Sequence, residues 1–421
     1  MSKVQSPQEV GNSLSSLALK DLTLSLFKEL KILTRGSPLK LEDEITRMRL
    51  WLSKDRESRP SGYMNQPKAF SAYTAFHLPL HLTETFWIFE QNFQRIGLKT
   101  PEKILDLGSG PGTATLSLLL WLHSKKLPFP KEVTFFDQST RALDASVILL
   151  KSLYQNAGQS LPKIRKLHGN LFHRKILKDL RGDYDLVILS HVLNEFGNGP
   201  RHRPKKMDFF ESLEKDLHLA PGTLLLIIEP PLREPTLDLM WLRDQLSRSE
   251  TLNVAETKSL DEVDEEFDDQ LSFEGFNARV LAPCPSGTKR CPMLLARAGW
   301  CYAQPPREYF RARGLCPWDY EIESTVRIEW TQPGFSYLLL GLKNQNIATE
   351  NPEWKTSHHG IALTDSTRAV SMICRENKMR REARTPFRGA YLEHRTKSPR
   401  FNNSEPEDFQ SHPKNRRSDN D

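Results

Sequence analysis

The 421-residue sequence predicts a doubly wound α/β sheet domain, entered through helices and followed by a small basic module. Three observations carry this. First, the apolar run Ile104-Leu105-Asp106-Leu107 breaks into Gly108-Ser109-Gly110-Pro111-Gly112, and Thr113 to Leu122 then reads as an apolar helix. Second, apolar runs of strand length alternate with helical stretches further along. Third, all five cysteines stand at Cys284 or later, three of them between Cys284 and Cys301.

Taken in order, residues 1–98 form a helical N-terminal domain. Leu22, Leu24, Phe27, Leu30 and Leu33 fall at helical spacing, as do Leu41, Ile45, Met48 and Leu52, and a further helix spans Thr83 to Phe93. The α/β domain covers 99–345. Its strands are expected at Lys103–Leu107, Val133–Asp137, Lys163–Leu167, Leu186–Ser190 and Thr223–Glu229, paired in parallel. Helices near Thr113–Leu122, Ser139–Tyr154, Lys205–Leu219 and Pro235–Ser247 would cover both faces. Two more strands, Ala278–Ala282 and Ser336–Gly341, flank a cysteine-rich insert at 283–332. Asp261 to Asp269 holds seven acids in nine positions, the pattern of a solvated loop. A small, β-rich basic module is expected at 346–400 and a disordered tail at 401–421.

Composition narrows the function classes. Hydrophobic residues make up 38% and charged residues 27%, and no apolar run approaches the ~20 residues of a membrane span. Met1 to Leu30 carries Glu9, Asp21 and Glu29 and no cleavage site after an apolar core, which argues against a secretory or transit peptide. A bacterial cytoplasm is expected, with the mitochondrial matrix as alternative, and thiols there stay reduced. The formal charge of +6 is mild, but Arg375 to Arg400 carries nine Lys and Arg against three acids. Such a cluster beside Phe387 and Tyr391 suits a phosphate backbone with bases to stack, unless it is simply a solvated basic tail.

The glycine corner needs residues without Cβ, because the backbone turns sharply where a ligand approaches. In such sheets the ligand lies beyond the carboxyl ends of the strands. The ends visible here are Asp106 with Gly108, Gly110 and Gly112; Asp137, an acid able to accept two bonds from ribose hydroxyls; Asn170; and Ser190-His191. Asp137 has a rival role as a helix N-cap, which Ser139 would fill equally well. Together these ends resemble class I S-adenosylmethionine-dependent methyltransferases. The resemblance implies Asp106, Gly108, Gly110, Gly112, Asp137 and Asn170 as cofactor-binding residues, and leaves Ser190 and His191 as the catalytic candidates. A cysteine nucleophile for cytosine C5 chemistry is missing from the strand ends, and Asp/Asn-Pro-Pro-aromatic does not follow the fourth strand.

Cys284-Pro285, Cys291-Pro292 and Trp300-Cys301 fall within eighteen positions, a density that core packing does not explain. Thiolates hold zinc or iron–sulfur clusters; the Cys-Pro steps and the lack of close Cys-x2-4-Cys knuckles favour a cluster over zinc. Tyr73 to Pro79, the glycine corner, Ser190 to Glu195, Ala282 to Pro285, Cys291-Pro292-Met293, Trp300-Cys301 and Phe335 to Leu338 occur in order. In this, residues from about 40 to 400 resemble the methyltransferase-like assembly factors of the small ribosomal subunit in mitochondria and bacteria. The resemblance implies a [4Fe–4S] cluster on Cys284, Cys291, Cys301 and Cys374, with Cys316 as the substitute fourth ligand. It also implies binding of small-subunit rRNA within an assembly intermediate, as a monomer away from membranes. Tyr302-Ala303-Gln304 and Ser398-Pro399-Arg400 depart from the family's pattern. Three functions stay open: a ribosomal RNA methyltransferase, a catalytically inactive RNA-binding assembly factor, and a small-molecule or protein methyltransferase with structural zinc.

Overall fold

The computed structural model describes residues 7–34, 41–53, 58–93, 96–247, 278–284, 291, 294, 301–303, 305, 315, 334–342, 362–364, 370–375 and 378–383. Seven strands form one sheet: β1 (Lys103–Leu107), β2 (Glu132–Asp137), β3 (Lys163–His168), β4 (Leu186–Ser190), β5 (Leu224–Glu229), β6 (Arg279–Ala282) and β7 (Ser336–Gly341). Their spatial order is β3-β2-β1-β4-β5-β7-β6. The first five are parallel, as expected from the alternation of strand and helix along the chain; every side chain of β5 is buried.

β7, one of the two further strands expected without a direction, lies antiparallel to both β5 and β6. The reason is the connection between β6 and β7. A parallel neighbour needs a crossover along the sheet, whereas this connection leaves and rejoins the sheet at one end.

The sheet's pleat sorts its residues into two cores. Ile104, Val133, Phe135, Ile188 and Leu226 face one way; Leu105, Phe136, Val187, Leu225 and Ile227 face the other. Helices α5 (Thr113–Ser124) and α6 (Thr140–Asn156) close the first core, and α7 (Arg203–Leu217) and α8 (Arg233–Leu246) close the second.

The N-terminal helices are α1 (Pro7–Thr34), α2 (Glu42–Ser53), α3 (Pro67–Ala72) and α4 (Leu78–Asn92). Leu22, Leu26 and Leu30 of α1 and Phe86, Phe89 and Phe93 at α4 join the first core beside Trp121, so these helices and the sheet share one interior. Met48, Trp51, Tyr63, Phe70 and Phe76 build a satellite core over α6. α4 begins at Leu78, ahead of the expected Thr83, because Pro79 sits in its first turn, where a missing N–H costs nothing. Between α3 and α4 the backbone widens into a π-helical turn, Tyr73–His77.

β8 (Ala362–Thr364), β9 (Val370–Arg375) and β10 (Lys378–Ala383) make a second, antiparallel sheet, in which Cys374 of β9 pairs with Met379. The acidic run Asp261–Asp269, Cys316 and the tail 401–421 lie outside the described residues. Among the described residues no helix is long and apolar enough to cross a membrane.

Candidate functional site

The corner after β1 is tied to its neighbour: the backbone N–H groups of Gly108 and Ser109 both donate to the carbonyl of Phe136, at 2.8 and 3.0 Å. Gly108 has φ +67°, and a Cβ there would stand 2.5 Å from Val192 Cγ2, so only glycine fits. Gly110, at φ +53°, has open space where its Cβ would be.

Two of the expected cofactor residues do not line the cavity described below. Gly112 starts α5 and packs between Ser146 and Phe135. Asp106 is buried under the turn, where the Thr115 hydroxyl donates to its Oδ2 at 2.7 Å and Oδ1 has no partner. These two residues hold the corner's shape from beneath. Burial pushes the Asp106 carboxyl up to about 7. An acid whose folded-state pKa is raised loses stability as pH climbs from its unfolded value toward the folded one. Stability is therefore expected to fall by about 1.4 kcal/mol per pH unit between roughly pH 4 and 7 from this group alone. Chemical denaturation of Asp106→Asn across that range should give a flatter profile than the parent.

Asp137, at the end of β2, accepts from Gly110 N–H at 2.8 Å on Oδ2 and from Ser139 N–H at 2.7 Å on Oδ1. A carboxylate offers about four acceptor positions, so two remain for a ligand. Ser139 takes the capping role, its Oγ accepting from Ala142 N–H at 3.2 Å. Burial pushes Asp137 up to about 6, against the pull of its two N–H donors.

These groups open on a cavity of about 780 Å³ at the carboxyl ends of β1 to β4, lined by Gly108, Gly110, Asp137, Asn170, Ser190 and His191. That size suits a nucleoside-sized ligand; small-ligand pockets run to about 300–1,000 Å³. Asn170 Oδ1 accepts from Phe172 N–H at 2.8 Å, bending the chain after β3.

The loop after β4 is held by Glu229, a buried acid that the sequence reading passed over. Its Oε1 accepts from Leu193 N–H at 2.8 Å, and its Oε2 from Asn194 Nδ2 at 2.8 Å and Asn194 N–H at 3.2 Å. His191 begins that loop at φ +59°, its N–H donating to Ile228 O at 2.7 Å.

The facing wall comes from the N-terminal helices, to which sequence reasoning gave no role. Tyr73, His77 and His81 follow at four-residue steps and stack, Tyr73 on His77 at 5.6 Å and His77 on His81 at 5.7 Å between ring centroids. That spacing was the available signal. Glu84, one turn on and 2% exposed, accepts from His81 Nδ1 at 2.9 Å and lies 3.5 Å from His191 Nε2 through the same oxygen. Burial pushes the Glu84 carboxyl up, but the two histidines more than offset this and hold it below the usual range. Burial also pushes His77 well below the ordinary imidazole range.

Cys291 and Cys301 pack by α8, and Cys284 lies near enough to Cys291 and Arg243 to act on both electrostatically. Cys291 is buried against Met240, with Cys301 beside them, and Cys291 N–H donates to both oxygens of Asp244 at 2.9 and 3.0 Å. The buried guanidinium of Arg243 is held in its charged form by Cys284 and Asp244 in spite of burial. Burial, reinforced by Cys284, pushes the Cys291 thiol up to about 12. No side-chain geometry is described for Cys374.

Residues 81–268 match the family model described as a methyltransferase domain. No curated protein matches the sequence. Among solved structures, an O-methyltransferase family protein from Burkholderia thailandensis aligns at 16% identity and TM-score 0.32, over 46% of this chain and 55% of that one, about half its length. The plantazolicin methyltransferase in complex with SAH aligns at 16% identity and TM-score 0.28, over 76% of this chain and 99% of that one. An rRNA methyltransferase from Streptomyces viridochromogenes aligns at 16% identity and TM-score 0.28, over 37% of this chain and 76% of that one. At this level of similarity none of them speaks to substrate. The stretch that matches the methyltransferase-domain model contains the five parallel strands β1 to β5.

Proposed function

We propose that the cavity holds S-adenosylmethionine and that the chain is a small-ribosomal-subunit assembly factor that methylates ribosomal RNA. The observation that carries the cofactor reading is Asp137: a half-buried carboxylate on the cavity wall, pinned by two backbone N–H groups, with acceptor capacity left over. Ribose hydroxyls are its natural partners, through charge-assisted bonds. Gly108 and Gly110 keep the adjoining backbone bare of side chains, so that the nucleoside lies close to it. When bound, the cofactor supplies an electrophilic methyl on a sulfonium. This chain's part is then to position the acceptor, with Ser190 and His191 as the candidate groups where the β4 end meets the cavity.

The RNA reading rests on the basic run from Arg375 to Arg400, of which Lys378, Arg380 and Arg381 lie on β10. An iron–sulfur cluster on Cys284, Cys291, Cys301 and Cys374 would fasten that run to the sheet domain. The donor set suits such a group: two thiols packed by one helix and a third within electrostatic reach, with a buried guanidinium near two of the three to balance anionic charge.

Calorimetric titration with S-adenosylmethionine is expected to show binding that Asp137→Ala weakens about 10- to 100-fold, the worth of one charge-assisted bond at about 1.5–3 kcal/mol. Unchanged affinity would remove the cofactor assignment. Radiolabelled methyl should appear in small-subunit RNA incubated with the parent protein. Cofactor binding without label transfer would make the chain the inactive RNA-binding factor instead.

A further inference from the structure

Across the cavity from the cofactor-facing residues, three side chains from distant parts of the sequence converge on one point. His81 and Glu84 come from α4, and His191 comes from the loop after β4. Their ligand atoms all lie within 4.8 Å of one another, and all three residues line the cavity. Both imidazoles address the same carboxylate oxygen, Glu84 Oε2, and their ring centroids are 3.8 Å apart. A simple buried ion pair needs one such imidazole. Two of them crowded onto one oxygen form the donor set of a cation site.

We propose that His81, Glu84 and His191 bind a divalent transition-metal ion of the zinc class, with one coordination position open to the cavity.

The geometry fits the chemistry. Zinc bonded to nitrogen and carboxylate oxygen at about 2.0–2.2 Å in a tetrahedron separates neighbouring ligand atoms by about 3.3–3.6 Å. The His191–Glu84 distance is already 3.5 Å, and the His81–Glu84 distance of 2.9 Å opens by about half an ångström on binding. Two imidazoles and a carboxylate suit zinc and its first-row neighbours rather than magnesium or calcium. Three protein ligands leave the fourth position for water or for an oxygen of the group entering the cavity, as in catalytic rather than structural sites.

Two features support the site from outside. His77 stacks on His81 with the ring planes 20° apart, and its buried Nε2 has no hydrogen-bond partner. His191 is held at φ +59°, a conformation that costs a non-glycine residue energy and persists where surroundings impose it. The imposition comes from Glu229, which clamps the next residues of the loop.

The test uses the full chain, stripped with chelator and titrated anaerobically with Co²⁺ and Zn²⁺. The cysteines are a competing site, and cobalt separates the two: thiolate ligands give an intense sulfur-to-cobalt charge-transfer band, whereas a nitrogen–oxygen site gives d–d absorption alone. One equivalent of Co²⁺ with d–d bands and no charge-transfer component is expected. Glu84→Gln and His81→Gln should each weaken that equivalent about 100-fold or more. Far-ultraviolet circular dichroism identifies any variant that fails to fold, in which case His191→Asn replaces it. A titration showing only the thiolate-type species, or d–d bands unmoved by both ligand substitutions, overturns the proposal. Cofactor titration in the same samples keeps the two readings apart, because metal binding here does not require S-adenosylmethionine.

Discussion

Glu229→Ala is expected to destabilise the fold by about 3 kcal/mol and to abolish ligand binding in the cavity, although no ligand is assigned to Glu229. The carboxylate is 1% exposed and satisfies three donors of the loop after β4: Leu193 N–H, Asn194 N–H and Asn194 Nδ2. Alanine strands these donors, and each unsatisfied buried group costs about 1–3 kcal/mol, partly offset by no longer burying a charge. The loop so released carries His191, Val192 and Asn194 of the cavity wall. Glu229→Gln keeps an acceptor for the main chain and should recover much of the stability. Urea denaturation of the three proteins checks this: similar midpoints for alanine and parent would mean that Glu229 holds nothing.

The second large effect concerns the thiols. Cys291→Ser is expected to remove iron and sulfide from anaerobically prepared protein and to lower the melting temperature by about 10 °C or more. Metal binding to a site absent from the unfolded chain contributes directly to folding, and a domain of this size shifts by about 2–4 °C per kcal/mol. Pushed up to about 12, the bare thiol of Cys291 gives up its proton only to a metal. Cys374→Ser should behave in the same way and also weaken RNA binding, whereas Cys316→Ser should keep the iron. Iron-free parent protein, or iron and melting unchanged in Cys291→Ser, would end the cluster reading.

Much of the sheet was legible because each of its signals is local. The runs Lys103–Leu107, Leu186–Ser190 and Ser336–Gly341 stand as expected, and other strands differ by a residue or so at their ends. The glycine corner was legible for the same reason: a positive φ leaves its mark in the residue type. What escaped notice depends on partners far apart in sequence. Glu229 sits beside Pro230-Pro231 like the end of any strand, and its partners are main-chain groups some 35 positions earlier, which no side-chain pattern records. The four-residue spacing of Tyr73, His77 and His81 could have marked a common helix face, but not the His191 that meets His81 from more than a hundred residues on. The reversal of β7 was hidden too, because an apolar run carries no direction.

That reversal has a consequence for how this protein can vary. Ala282 pairs with Leu339, and Ser336 with Glu229, so the 283–335 excursion is a hairpin loop grown long. Its carboxyl-terminal end reaches the cavity, where Gly334 meets Pro231. The excursion also packs on the body it leaves: Leu315 is buried in the first core and Cys291 against Met240 of α8. A graft that exchanges it for a tight turn would have to fill both places again to keep the sheet domain stable.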